Sequence, residues 1–272
     1  MKKSFRLLAG VLTALLCLGA FSGCTSSDNK QNNAEITPMQ LYSGAYEKTQ
    51  NAKSMDFDME MDIEMTAQGE TMNVSTVGNS KMDISDAEAP KMSAAMTMAI
   101  PLQGEVEMNM TFVDGYFYMD TMGQKIKSKA DLSLAQKMMG NNNSVQLLNP
   151  NDLMDIKAKK DGENTILTFT CKTDATNDLL NNMLEGSLGA TGGSSFTYKK
   201  FEGYMVVDKD GMVKDSSFQA EADMTVSQQT MSMNMEMKLT INSIGEPVTI
   251  AKPADADSYT EVDSSALEGA AA

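Results

Sequence analysis

MDFDMEMDIEM, residues 55–65, alternates apolar and acidic side chains without a break. Met55, Phe57, Met59, Met61, Ile63 and Met65 form one set; Asp56, Asp58, Glu60, Asp62 and Glu64 form the other. Successive side chains point to opposite sides only in an extended chain, so the stretch predicts a β-strand with one greasy face and one wet face.

The same period of two recurs in both directions from this strand. It runs through Met92, Ala94, Met96, Met98, Ile100 and Leu102, then Val106, Met108, Met110 and Phe112, and later Met231, Met233, Met235, Met237, Leu239 and Ile241. Weaker alternation spans 72–84, 165–171, 201–207 and 212–226. Asp114-Gly115, Asp161-Gly162 and Asp210-Gly211 punctuate these runs as hairpin turns do. One-sided alternation joined by tight turns means antiparallel sheet.

Helical stretches are few. Thr37 followed by Pro38 reads as an N-cap and first turn, with a helix to Gln50 that puts Leu41, Ala45 and Tyr46 on one side. Residues 129–139 form a second candidate, 145–154 a third that Pro150 must break or restart, and 174–186 a fourth, closed by Gly186.

The order of these parts carries a resemblance. A helix leads into NAKSMDFDMEMDIEM, long meandering strands follow, VDGYFYMD supplies a hairpin, a helical insert sits mid-chain, and TINSIGEPVTIAKPADA closes the domain. This resembles the LolA and LppX/LprG type of bacterial lipoprotein and its Gram-positive relatives, over residues 38–256. The resemblance implies an α+β, mostly antiparallel fold: a strongly curved open half-barrel sheet with helices covering the concave face. It also implies a cavity between sheet and helices that carries acyl chains.

The N-terminus fits export. Lys2, Lys3 and Arg6 precede an apolar run from Leu7 to Phe21, too short to span a bilayer as a stop-transfer helix. It ends in Phe21-Ser22-Gly23-Cys24, similar to a lipoprotein lipobox with phenylalanine where leucine is usual. The similarity implies that residues 1–23 are a signal peptide and that Cys24 takes a diacylglyceryl group, with its new amino terminus open to further acylation such as palmitate. Residues 24–37 are polar and aperiodic and read as a flexible tether reaching roughly 20 Å. The acidic, alanine-rich residues 257–272 read as a loosely ordered tail. The chain is thus expected outside the cytoplasm, held to the cell membrane by lipid.

Composition narrows the function. A net charge of −15 argues against nucleic acid and anionic lipid headgroups as partners. With Cys17 lost in the signal and Cys24 lipidated, Cys171 is left without a disulfide partner, and its place among Thr165, Leu167 and Phe169 makes it a buried small hydrophobe. The absence of histidine removes histidine triads and histidine zinc sites. The glycine-rich stretch 186–195 lacks the lysine of a phosphate loop. No enzyme and no cofactor is expected.

The 26 methionines remain to be explained. Thioether chains are unbranched and polarizable, so a face built from them adapts to varied apolar partners or fills an irregular core. Met59, Met61, Met96, Met98, Met108, Met110, Phe112, Met233 and Met235 are the expected lining of a hydrophobic cavity. Soft sulfurs also suit Cu(I), but alternate residues of one strand stand roughly 6.5–7 Å apart, and the same positions are filled by Phe57, Ile63 and Ala94, which cannot ligate. The acidic rows string carboxylates along a strand and lack a compact calcium loop, so no metal site is expected. Two functions from different classes follow. One is a membrane-anchored carrier or holder of a lipid or other hydrophobic molecule; the other is a ligand-free structural or protein-interaction module of the envelope.

Overall fold

The structure, a computed structural model, describes residues 36–101, 104–139, 147–172, 194–226 and 229–264. The signal segment 1–23, Cys24 and nearly all of the tether lie outside the described residues, as do the helix expected at 174–186 and the tail beyond residue 264.

Twelve strands form one sheet: β1 (Ser54–Ala67), β2 (Glu70–Asp83), β3 (Lys91–Ile100), β4 (Gly104–Val113), β5 (Tyr116–Thr121), β6 (Gln124–Lys129), β7 (Leu153–Asp161), β8 (Asn164–Cys171), β9 (Ser194–Val207), β10 (Val213–Val226), β11 (Gln229–Ile244) and β12 (Thr260–Glu261). Their spatial order is β12-β6-β5-β4-β3-β2-β1-β11-β10-β9-β8-β7, so the sheet is open, with β12 and β7 at its edges. Every neighbouring pair is antiparallel except β12 with β6. Two meanders, β1–β6 and β7–β11, join where the alternating strand β1 pairs with β11.

The turns anticipated at 114–115, 161–162 and 210–211 connect β4 to β5, β7 to β8 and β9 to β10. Asp114 and Gly115 both have positive φ, 53° and 72°, the twist that a two-residue hairpin needs. In the longer β9–β10 turn, Asp208 Oδ1 accepts hydrogen bonds from the backbone N–H of Asp210 and Met212, both at 2.9 Å.

Helix α1 spans Pro38–Gln50. The backbone N–H of Gln40 donates to Thr37 Oγ1 at 3.2 Å, and the Thr37 N–H donates back to Gln40 Oε1 at 3.0 Å, a reciprocal cap that satisfies two otherwise unpaired donors. Tyr42 and Ala45 bury against the apolar face of the C-terminal meander, where Tyr42 Oη donates to the Leu148 carbonyl at 2.9 Å and the ring meets Phe169 edge-on at 5.5 Å. Helix α2 spans Leu132–Met139 and is capped by Asp131, whose Oδ1 accepts from the Leu134 N–H at 2.8 Å; its Ala135 is fully buried beside β3–β5.

Two expectations are corrected. Residues 147–154 hold no α-helix: a short 3-10 helix at Pro150–Asp152, capped by Asn149, leads into β7, while Leu147 and Leu148 enter the core outside any helix or strand. Proline cannot donate within a helix, and the turn puts that lack to use at its first position. The fold also continues past residue 256. Tyr259 is 8% exposed and packs edge-on against Tyr118 at 5.4 Å, and β12 then pairs with β6. Lys125 bridges to Asp255, and this pair holds the Asp255 carboxyl below its ordinary range. The closing segment thereby covers tyrosines on the side of β4–β6 opposite the methionines.

Candidate functional site

Strand register sorts the side chains without ambiguity. Met61 stands opposite Met237 and Thr76, Ile63 opposite Met235 and Val74, and Met65 opposite Met233 and Met72. The same face continues through Met96 opposite Met108, Met92 opposite Phe112 and Met110 opposite Met119. Directly opposed side chains sit about 4.5–5.5 Å apart at Cβ, so thioethers interlock across strands as well as along them.

This face holds two separate apolar clusters. The larger gathers α1, β1 and β8–β11, with Ala220 and Ala222 leaving room opposite Met235 and Met233. The smaller gathers β3–β5 and α2. Of the nine side chains expected to line a cavity, Met61, Met233 and Met235 are buried in the first cluster, and Met110 and Phe112 in the second. Met59, Met96, Met98 and Met108 are only partly buried and pack against the two clusters from the strip between them.

That strip has a floor that the sequence reading passed over. The inward positions of β2 are Glu70, at the exposed hairpin end, then Met72, Val74, Thr76, Gly78, Ser80 and Met82, so three small residues in succession separate the thioethers of β1 from those of β3. The signal was present as a gap within an otherwise apolar period. The Thr76 side chain is 3% exposed, and its Oγ1 has no hydrogen-bond partner among the described residues; Thr121 Oγ1, opposite Met108, is likewise unpartnered among them.

The opposite face is polar. Asn79 Nδ2 donates to Asp56 Oδ1 and Asp58 Oδ1, both at 2.8 Å, and Asn242 Nδ2 donates to the same two side chains at 3.2 and 3.0 Å. Lys81 completes the group 3.3 Å from Asp56. Burial pulls the Asp56 pKa upward, but the hydrogen bonds from Asn79, Asn242 and Lys81 outweigh it and hold the carboxyl below its ordinary value.

Two grooves cross this polar face. One, of about 430 Å³, is lined by Asp58, Glu60 and Glu107 and also reaches Met59, Gly78 and Met96. The other, of about 600 Å³, includes Asp62, Glu64, Glu221, Glu236 and Lys200. Among the described residues no three Asp, Glu, Cys or His side chains are placed to hold a metal ion, and no helix is long and apolar enough to cross a membrane. Cys171 is buried as its neighbours implied, and burial pushes its thiol up to about 12, away from the thiolate needed for nucleophilic chemistry.

Residues 37–259 match the family described as "Family of unknown function (DUF6612)". No curated protein matches the sequence. Among solved structures the chain is similar to the Mycobacterium tuberculosis lipoprotein LppX, at 11% identity over 79% of this chain and 98% of that one, with a TM-score of 0.38. It is similar also to a domain described as a lipoprotein-sorting protein from Vibrio parahaemolyticus, at 10% identity over 79% and 94% of the two chains, TM-score 0.24. A third likeness is a DUF1329 family protein from Desulfovibrio piger, at 12% identity over 74% and 92%, TM-score 0.27.

Proposed function

Because the chain belongs to the family of unknown function DUF6612, whose description carries no activity, we propose from its own residues that it binds or carries a hydrophobic ligand, a lipid or acyl chain, on its methionine face. In this reading the protein is exported, lipidated at Cys24 and held at the outer side of the cell membrane. It is not an enzyme, and the fold serves it as an open half-barrel whose helices close part of the apolar side.

One observation carries the proposal. The methionines do not make a single filled core: Met59, Met96, Met98 and Met108 stay partly exposed along a strip floored by Thr76, Gly78 and Ser80. Flexible thioethers around small residues can part to admit an apolar chain at little cost, because each has several low-energy rotamers. The ligand-free module is favoured by a different observation, the full burial of Met61, Met110, Phe112, Met233 and Met235.

Glutamate substitutions separate the two. A buried unpaired charge costs several kcal/mol, against a total domain stability of about 5–15 kcal/mol. Met96→Glu is expected to keep a cooperative melting transition and lose binding of an apolar fluorescent probe, whereas Met233→Glu should unfold the domain. Unfolding by both, with no probe bound by the wild type, would favour the module.

A further inference from the structure

The column of small residues on β2 contains an anomaly that core packing does not explain. Thr76 is almost wholly buried on the methionine face, opposite Met61 on one side and Met98 on the other, and its hydroxyl has no partner among the described residues. A buried hydroxyl without a partner is costly, and valine has nearly the same shape without that cost. Two residues on, Gly78 stands between Met59 and Met96; a Cβ there would be 3.0 Å from Met96 Cγ, so the Met96 side chain leans over the bare backbone. The result is a column of small residues between rows of thioethers, a trough in side-chain size with one unused hydroxyl in its floor.

The chemistry of the walls limits what the hydroxyl can meet. Apart from Glu70, exposed at the hairpin end of β2, none of the inward positions of β1, β2, β3 and β4 carries an ionisable side chain. An ionised headgroup in the trough would therefore be desolvated without compensation, whereas a neutral carbonyl oxygen needs only one donor. We infer that the trough receives a neutral acyl ester or amide, whose carbonyl oxygen accepts a hydrogen bond from Thr76 Oγ1 while its chain lies over Gly78 between the methionines of β1 and β3. This rests on the hydrophobic-ligand reading and adds to it the polar group of the ligand and the residue that selects it.

The test compares methyl palmitate with octadecane as competitors for an apolar fluorescent probe on the mature protein, in wild type, Thr76→Val and Thr76→Ser. Thr76→Val should weaken methyl palmitate by about five-fold, the worth of one neutral hydrogen bond, and leave octadecane unchanged. Thr76→Ser keeps the donor and should restore the preference for the ester. The melting temperature of ligand-free Thr76→Val should equal or exceed that of wild type, since nothing among the described residues uses the hydroxyl. Equal loss of both competitors, or no loss of either, would overturn the inference while leaving the carrier reading intact. A lower melting temperature would overturn it too, by showing the hydroxyl to be held by the protein itself. If the wild type binds neither competitor, the carrier reading fails and the inference falls with it.

Discussion

Phe169 lies over Gly203 so closely that a methyl group on residue 203 would stand 2.9 Å from Cε2 of the ring and 2.5 Å from the carbonyl oxygen of Ser217. The ring in turn supports Tyr42, so this one contact ties β8, β9 and α1 together. Gly203→Ala must either push Phe169 out of place or spread β9 from β10. A loss of about 1–3 kcal/mol in stability is expected, as for other overpacked cores, and chemical denaturation measures it directly. An unchanged midpoint would show that the packing is looser than described.

Asp56 predicts how acid acts on the sheet. Its pKa is held down in the folded protein, so its contribution to stability is complete above the ordinary carboxylate value of about 4 and is lost as pH falls through the lower folded value. Asp56→Asn removes that contribution. The melting temperatures of variant and wild type should therefore differ at pH 7 and converge well below pH 4. A difference of constant size across that range would assign the effect to shape and not to charge.

The strands rich in methionine were legible in the sequence because their two faces differ in both polarity and size. β6 was not: Gln124–Lys129 offers Ile126 as its single apolar residue, and it is placed by the Met122-Gly123 turn that folds it back on β5. β7 was hidden for a related reason. As an edge strand it is mostly exposed, its period is interrupted at Asp155, where φ is 49° and the register with β8 shifts, and Lys157, Lys159 and Lys160 guard it against pairing with other sheets. The acidic character of the C-terminal segment concealed Tyr259, whose burial depends on tyrosines more than a hundred residues away. The site was legible as a face but not as a place. Which methionines fill a core and which border the trough depends on Gly78 lying beside Met59 and Met96, a relation that exists only once three strands are aligned.

The anchor has its own test. Cys24→Ser removes the thiol that the lipobox-like sequence offers for lipidation, so the variant should remain unprocessed or leave the detergent phase on partitioning. Identical partitioning of variant and parent would refute lipidation at this residue.

The central claim is that the methionine face holds a hydrophobic ligand, and the mass of the intact folded protein reads it most directly. Protein with Cys24 replaced, expressed in a bacterial host and purified without detergent, should show in native mass spectrometry a population carrying one acyl-lipid adduct. That adduct should disappear in Met96→Glu without any loss of the folded charge-state distribution. A spectrum of the Cys24-replaced protein with Met96 intact that contains only the bare chain, and remains so after incubation with excess acyl lipid, would contradict the account.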